Sequence, residues 1–152
     1  MKVFLDTSFF VGFFMGKREA KEVYESVVSE ELYTSLNVIE ETTYILMKLR
    51  ASDLTGIKKH YDLMKEMKGN EKVYEKCFNL SRDFFFSLSA LDIKVLPLTL
   101  SWEEVLETMK EFRLFPNDAL IAATCRHHGI TRIATFDDDF RRVDFLEVIT
   151  PG

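Results

Sequence analysis

Residues 2–10, KVFLDTSFF, decide the fold. KVFL makes a short buried strand, the chain turns at Asp6, and a helix starts at about Thr7. The same strand-then-helix reading repeats outward from this stretch. A second helix covers about Arg18 to Ser29, and LYTS at 32–35 is the next strand. Asn37 is expected as the N-cap of a helix to about Arg50, with Glu40 three residues on completing an Asn variant of the capping box. Asp53 to about Ser89 is helical in period, broken at Gly69 and Asn70. IKVLPL at 93–98 is a strand ended by Pro97, and Ser101 with Glu104 caps a helix to about Phe112. Pro116 and Asn117 open a helix ending at Gly129, and RIAT and LEVI make the last two strands around the acidic turn FDDDF. This alternation implies an α/β fold on a parallel sheet, whose ligand site lies at the carboxyl ends of the strands.

Four acidic residues stand at the edges of apolar runs: Asp6 after KVFL, Glu41 inside SLNVIEETTYIL, Asp118 opening DALIAATC, and Asp137 after RIAT. Glu41 shares a helix face with Val38 and Ile45, so it interrupts an apolar stripe. Singly, each has an ordinary role: Asp6 and Asp118 at helix starts favoured by the dipole, Glu41 as a solvated helix residue, Asp137 as a turn former. Together they can converge. Two unit charges about 4 Å apart interact by roughly 4 kcal/mol at an effective dielectric near 20, so such a cluster calls for a cation. Oxygen-only ligands point to Mg²⁺ or Mn²⁺ rather than zinc.

The 152 residues suit one domain, 1–152, and 47% hydrophobic with 30% charged residues is a globular mixture rather than a disordered one. No apolar stretch reaches the roughly 18 residues that span a bilayer, and Asp6 interrupts any signal-peptide core, so a cytoplasmic protein is expected. Cys77 and Cys125 are isolated and read as buried thiols, and His60, His127 and His128 supply no missing ligand. A net charge of −5 argues against a broad basic nucleic-acid surface but leaves room for local cations beside a neutralised site, with Lys17, Arg18, Lys48, Arg50, Arg126, Arg141 and Arg142 as candidates.

The segments VFLDTSFFV, YTSLNVIEE, FPNDALIAATCRHHGI and IATFDDDF, in this order over nearly the full length, resemble the PIN-domain nucleases, and among them the VapC-like toxins of prokaryotic toxin-antitoxin pairs. The resemblance maps the acidic residue ending the first strand onto Asp6, with Thr7 and Ser8 in the following turn. It maps the glutamate after the second strand onto Glu41, the aspartate before an Ala-rich helix onto Asp118, and the Thr-x-Asp pattern onto Thr135 and Asp137. It implies a three-layer α/β/α sandwich with a central, mainly parallel five-stranded sheet. It further implies a Mg²⁺ or Mn²⁺ site and cleavage of RNA. The DDDF run carries more acid than the pattern requires, and the helical middle varies within the family.

On this reading Asp6, Glu41, Asp118 and Asp137 are the catalytic and metal residues, and one or two ions activate water for in-line attack on a phosphodiester. Thr7, Ser8, Asn117, Thr135 and Asp139 orient carboxylates or waters, Thr135 and Asp139 foremost. The expected partners are an RNA substrate, a small antitoxin and a second copy of the chain. The Phe-rich stretch from Phe9 to Met15 is a candidate groove lining for the antitoxin and, equally, the buried face of the first helix. Three other readings stand beside the toxin: a housekeeping PIN-domain ribonuclease, a non-catalytic scaffold, which would have lost a carboxylate, and a Mg²⁺-dependent phosphatase or DNA nuclease of another α/β family.

Overall fold

A computed structural model describes residues 1–151. Strand β1 (Lys2–Leu5) leads into α1 (Thr7–Phe14) and α2 (Arg18–Val27), then β2 (Glu31–Ser35). Three helices follow, α3 (Leu36–Thr55), α4 (His60–Gly69) and α5 (Glu71–Ala90), before β3 (Ile93–Leu96). The chain returns through α6 (Trp102–Phe112) and α7 (Pro116–His127) to β4 (Arg132–Ala134), a 3₁₀ turn (Asp138–Arg142) and β5 (Glu147–Ile149).

The sheet order is β3-β2-β1-β4-β5 and every pairing is parallel. β1 is the central strand, with Val3, Phe4 and Leu5 fully buried, as its unbroken apolar run requires. From β1 the chain steps outward to β2 and β3, then crosses back to β4 on the other side. Right-handed crossovers therefore put α1 to α5 on one face and α6 with α7 on the other, giving three layers. The reversal between β1 and β4 is a switch point, where flanking loops diverge and leave a crevice at the strands' carboxyl ends.

Two local expectations fail for physical reasons. Asn37 is not the N-cap of α3: β2 runs into the helix without a loop, so Ser35 takes the cap position and Asn37 lies inside the first turn. No side chain caps that end, and Glu40 is exposed and free of a capping box. At α6 the box does form: Ser101 Oγ accepts from Glu104 N and Glu104 Oε2 from Ser101 N, both at 3.3 Å. Helix α3 also continues past Arg50 to Thr55, because no breaker intervenes until Gly56, which closes it at φ 73°. Asn70 does break the middle third, capping α5 through Val73 N at 3.3 Å.

The main core joins the sheet to both helical layers, while α3, α4 and α5 add a smaller apolar cluster around Ala51, Leu63, Met67, Val73 and Cys77. Cys77 and Cys125 are both buried free thiols. The Phe-rich stretch divides: Phe9 and Phe10 are buried in the core, while Phe14 and Met15 are exposed beside Leu46 and Leu49.

Candidate active site

Asp6 follows the last residue of the central strand. Its N–H donates to Ala134 O of β4 at 3.1 Å, and its own carbonyl starts α1 through Phe10 N at 3.1 Å, which fixes the carboxyl at the sheet's carboxyl edge. The side chain is buried, and its Oδ2 accepts from Thr135 Oγ1 at 2.7 Å. Because Thr135 has one hydroxyl proton and gives it to Asp6, Ser8 Oγ donates to Thr135 Oγ1 at 3.2 Å, and Thr135 in turn accepts Asp137 N at 3.0 Å. Ser8 Oγ also accepts Phe136 N at 2.8 Å. One small hydroxyl network thus ties the start of α1 to the loop after β4 and aims Asp6.

A second network aims Glu41. Asn117 Nδ2 donates to Glu41 Oε2 at 2.6 Å, Asn37 Nδ2 donates to Asn117 Oδ1 at 2.9 Å, and Ser35 Oγ donates to Asn37 Oδ1 at 2.6 Å. Thr7 Oγ1 adds a longer bond to the same Glu41 oxygen at 3.3 Å. This relay crosses from the end of β2 to the first turn of α7 and back to α3. The capping pattern had hidden Asn37. The signal that reveals it is its spacing four residues before Glu41, which puts both on one helix face.

Asp118 stands in the first turn of α7, one residue beyond Asn117. Asp6, Glu41, Asp118 and Asp137 all line one cavity of about 500 Å³ with Thr7 and Ser8, at the edge formed by β2, β1 and β4. Carboxylate oxygens of Asp118, Asp137 and Asp139 lie within 4.8 Å of one another, so Asp139 reaches ligand range although the sequence suggested only an orienting part. Asp137 Oδ1 accepts Asp139 N at 2.9 Å, and Arg142 Nη2 donates to Asp139 Oδ1 at 2.9 Å. The remaining lining includes Lys17, a candidate cation from the sequence, Ile45, the face neighbour of Glu41, and Val11 and Gly12 of the Phe9–Met15 stretch, with Glu19 and Phe136 unforeseen.

Crowding shows in the titration of these acids. Burial lifts the Asp6 carboxyl to about 6, the charges of Glu41 and Asp137 add to the lift, and the bond from Thr135 opposes it. Asp118 is raised to about 7, first by burial and then by Asp137, Asp6 and Asp139 around it. A set of oxygen donors that resists ionising together, in one open crevice, is an environment that a hard divalent cation would relieve. Among the described residues the cavity's titratable lining is Asp6, Lys17, Glu19, Glu41, Asp118 and Asp137.

The model of the PIN domain matches residues 3–146. Ribonuclease VapC2 of Methanocaldococcus jannaschii is 36% identical over 149 residues, covering 97% of this chain and 93% of its own. Ribonuclease VapC6 of the same organism is 33% identical over 97% of this chain and 95% of its own. Among solved structures, a chain of a toxin-antitoxin complex from Klebsiella pneumoniae superposes with a TM-score of 0.64 at 19% identity, over 99% of this chain and 98% of that one. VapC20 of Mycobacterium tuberculosis, a sarcin-ricin loop cleaving toxin, gives 0.63 at 20% identity, over 97% and 98%. These two show the fold.

Proposed function

The chain belongs to the PIN-domain family, in its VapC-like branch, and from that premise we propose that it is a Mg²⁺- or Mn²⁺-dependent endoribonuclease, the toxin of a toxin-antitoxin pair. The observation that carries the reading is the meeting of Asp6, Glu41, Asp118 and Asp137, from four separate parts of the chain, in one cavity at the sheet's carboxyl edge. The wide identity to two ribonucleases supports RNA as the substrate. A neighbouring fold taken from a toxin-antitoxin complex supports a small protein inhibitor as partner. The proposal extends to a single nuclease domain acting in the cytoplasm as a homodimer.

Asp118, Asp137 and Asp139, whose carboxylate oxygens lie within 4.8 Å of one another, would hold a divalent ion together with Asp6 and Glu41, which line the same cavity. When bound, such an ion supplies Lewis-acid chemistry, lowering the pKa of a water and stabilising charge on the phosphate and leaving oxygen. The chain's own residues do the positioning. Thr135 holds Asp6 in one rotamer, Asn117 with Thr7 holds Glu41, and Ser8 locks Thr135 in place. Burial and the neighbouring acids raise the Asp6 and Asp118 carboxyls to about 6 and about 7, so near neutral pH Asp118 is only partly ionised and Asp6 mostly so.

The test offers purified protein single-stranded RNA, single-stranded DNA and a small phosphomonoester, with Mg²⁺, with Mn²⁺ and with chelator. Cleavage of RNA alone, abolished by chelator and by Asp118→Asn, is expected. Hydrolysis of the phosphomonoester, or cleavage that survives chelation, contradicts the reading. Expression in cells separates the toxin from a housekeeping nuclease: growth should slow with the wild-type chain, and a small protein encoded beside it should restore growth and copurify.

A further inference from the structure

Beyond the acidic cavity, on the α7 side of the sheet, lies a second hollow of about 390 Å³ lined by Arg113, Phe115, Asp139 and Arg142. Phe115 is the residue before Pro116, which opens α7, so it stands three residues from Asp118. Phe115 is 81% exposed, above Phe86 at 62% and the other exposed phenylalanines among the described residues. Arg113 holds the left-handed conformation at φ 54° that ends α6, and its guanidinium makes no ion pair among the described residues. Arg142 bridges Asp139 Oδ1 at 2.9 Å and Arg113 O at 2.8 Å, which neutralises the one acid in this hollow and braces the turn. Arg113 is therefore its unspent positive charge.

The other flank of the acids has the same composition. Lys17 and the 42%-exposed Phe136 line the catalytic cavity on the α1 side, both within reach of Gly12. Lys17 too has no ion pair among the described residues. An exposed aromatic ring and a free cation thus occur on each side of the carboxylates, which is the recognition chemistry of unpaired nucleotides: bases stack on rings while cations take the backbone. A paired helix hides its base faces and could use only the cations.

Resting on the ribonuclease reading, we propose that the substrate crosses the sheet edge as single-stranded RNA, with the nucleotide on one side of the scissile phosphate stacked on Phe115 beside Arg113 and the nucleotide on the other stacked on Phe136 beside Lys17. Phe115 is the sharper specificity residue, because its ring has little other contact to satisfy.

The experiment measures KM and kcat with Mn²⁺ on a fluorescein-labelled single-stranded RNA, on its duplex, and on single strands carrying an abasic residue on either side of the cleaved bond. Phe115→Ala should raise KM roughly tenfold, within the range of one lost base stack, with kcat nearly unchanged and Phe115→Trp restoring the wild-type value. The Phe115→Ala effect should vanish on the RNA abasic at the contacted nucleotide, and the duplex should be a poor substrate. A Phe115→Ala chain with wild-type KM, a tenfold effect that persists on every abasic strand, or equal cleavage of duplex overturns the path. So does an unchanged KM accompanied by lost inhibition by the neighbouring small protein, which would assign Phe115 to a protein interface. If the wild-type chain cleaves no RNA, the ribonuclease reading fails, and fluorescence anisotropy with the same strand decides the subsite separately: weaker binding by Phe115→Ala than by wild type supports it, equal or absent binding contradicts it.

Discussion

The carboxyl edge of the sheet and the α3-α4-α5 cluster are built from opposite materials. At the edge, Asp6, Thr135 and Ser35 are buried polar groups engaged in hydrogen-bonded relays, and Asp6 and Asp118 are held far from their usual carboxylate range. Around Leu63, Met67, Val73 and Cys77 the interior is almost wholly apolar. Packing of the second kind stabilises the fold without chemistry, whereas the first gathers unfavourable charge that protonation at low pH relieves and that a bound cation would relieve at higher pH. Mutations in the two regions should therefore separate stability from activity.

The largest effect on activity is expected at Asp118. Asp118→Asn should lower kcat on RNA by more than about a hundredfold, beyond the range for residues that only orient ligands, with no loss in melting temperature without metal. A stable variant that cleaves at the wild-type rate would erase the distinction between the regions. The largest effect on stability is expected at Leu63, which is 1% exposed in the second cluster. Leu63→Ala should cost about 2–5 kcal/mol in denaturant unfolding while kcat at low temperature stays the same. A fall in kcat there would show that the helical side transmits strain to the site.

Thr135→Val sharpens the comparison at the edge itself. Removing the donor to Asp6 should lower activity by roughly 10- to 100-fold and leave a buried carboxyl less satisfied, at about 1–3 kcal/mol of stability. Adjacent helix positions should divide, with a loss at Glu41 as large as that at Asp118 and the smallest effect of all at Glu40. Glu40→Gln is a surface change expected within about 0.5 kcal/mol of wild type and fully active, while Glu41→Gln should be inactive at similar stability. A harmless Glu41→Gln would move the ligand elsewhere.

Asp6, Asp118 and Asp137 were legible in the sequence because each ends or opens an apolar run, and the sheet's topology then brings such ends together. Thr135 and Ser8 followed from the resemblance, Asn117 was read at the helix start beside Asp118 as a group to orient carboxylates, and each lies in a relay at the site. Asn37 was misread because Asn-x-x-Glu satisfies a local capping rule, while the direct passage of β2 into α3 is a tertiary fact that local pattern does not carry. Asp139 was read only as an orienting residue, and its reach into ligand range, like the Phe115 hollow, escaped for another reason. Their positions depend on Arg142 reaching back to the α6-α7 turn across 29 residues, an ion-paired brace with no sequence period.

The central claim is that the acids at the sheet edge form one divalent site, and Mn²⁺-dependent thermal unfolding at two pH values tests it most directly. With carboxyls raised from 3.8 to about 6 and about 7, the metal-free folded chain binds more protons than the unfolded one between those values. The stability that Asp6 and Asp118 contribute is thus full below about pH 4 and lost as pH rises through 6 and 7. Mn²⁺ competes with those protons and binds only the folded site, so millimolar Mn²⁺ should raise the melting temperature clearly at pH 8, little at pH 5, and hardly at all at pH 8 in Asp118→Asn. An equal shift in the wild type at both pH values, or an undiminished shift in Asp118→Asn, would contradict the account.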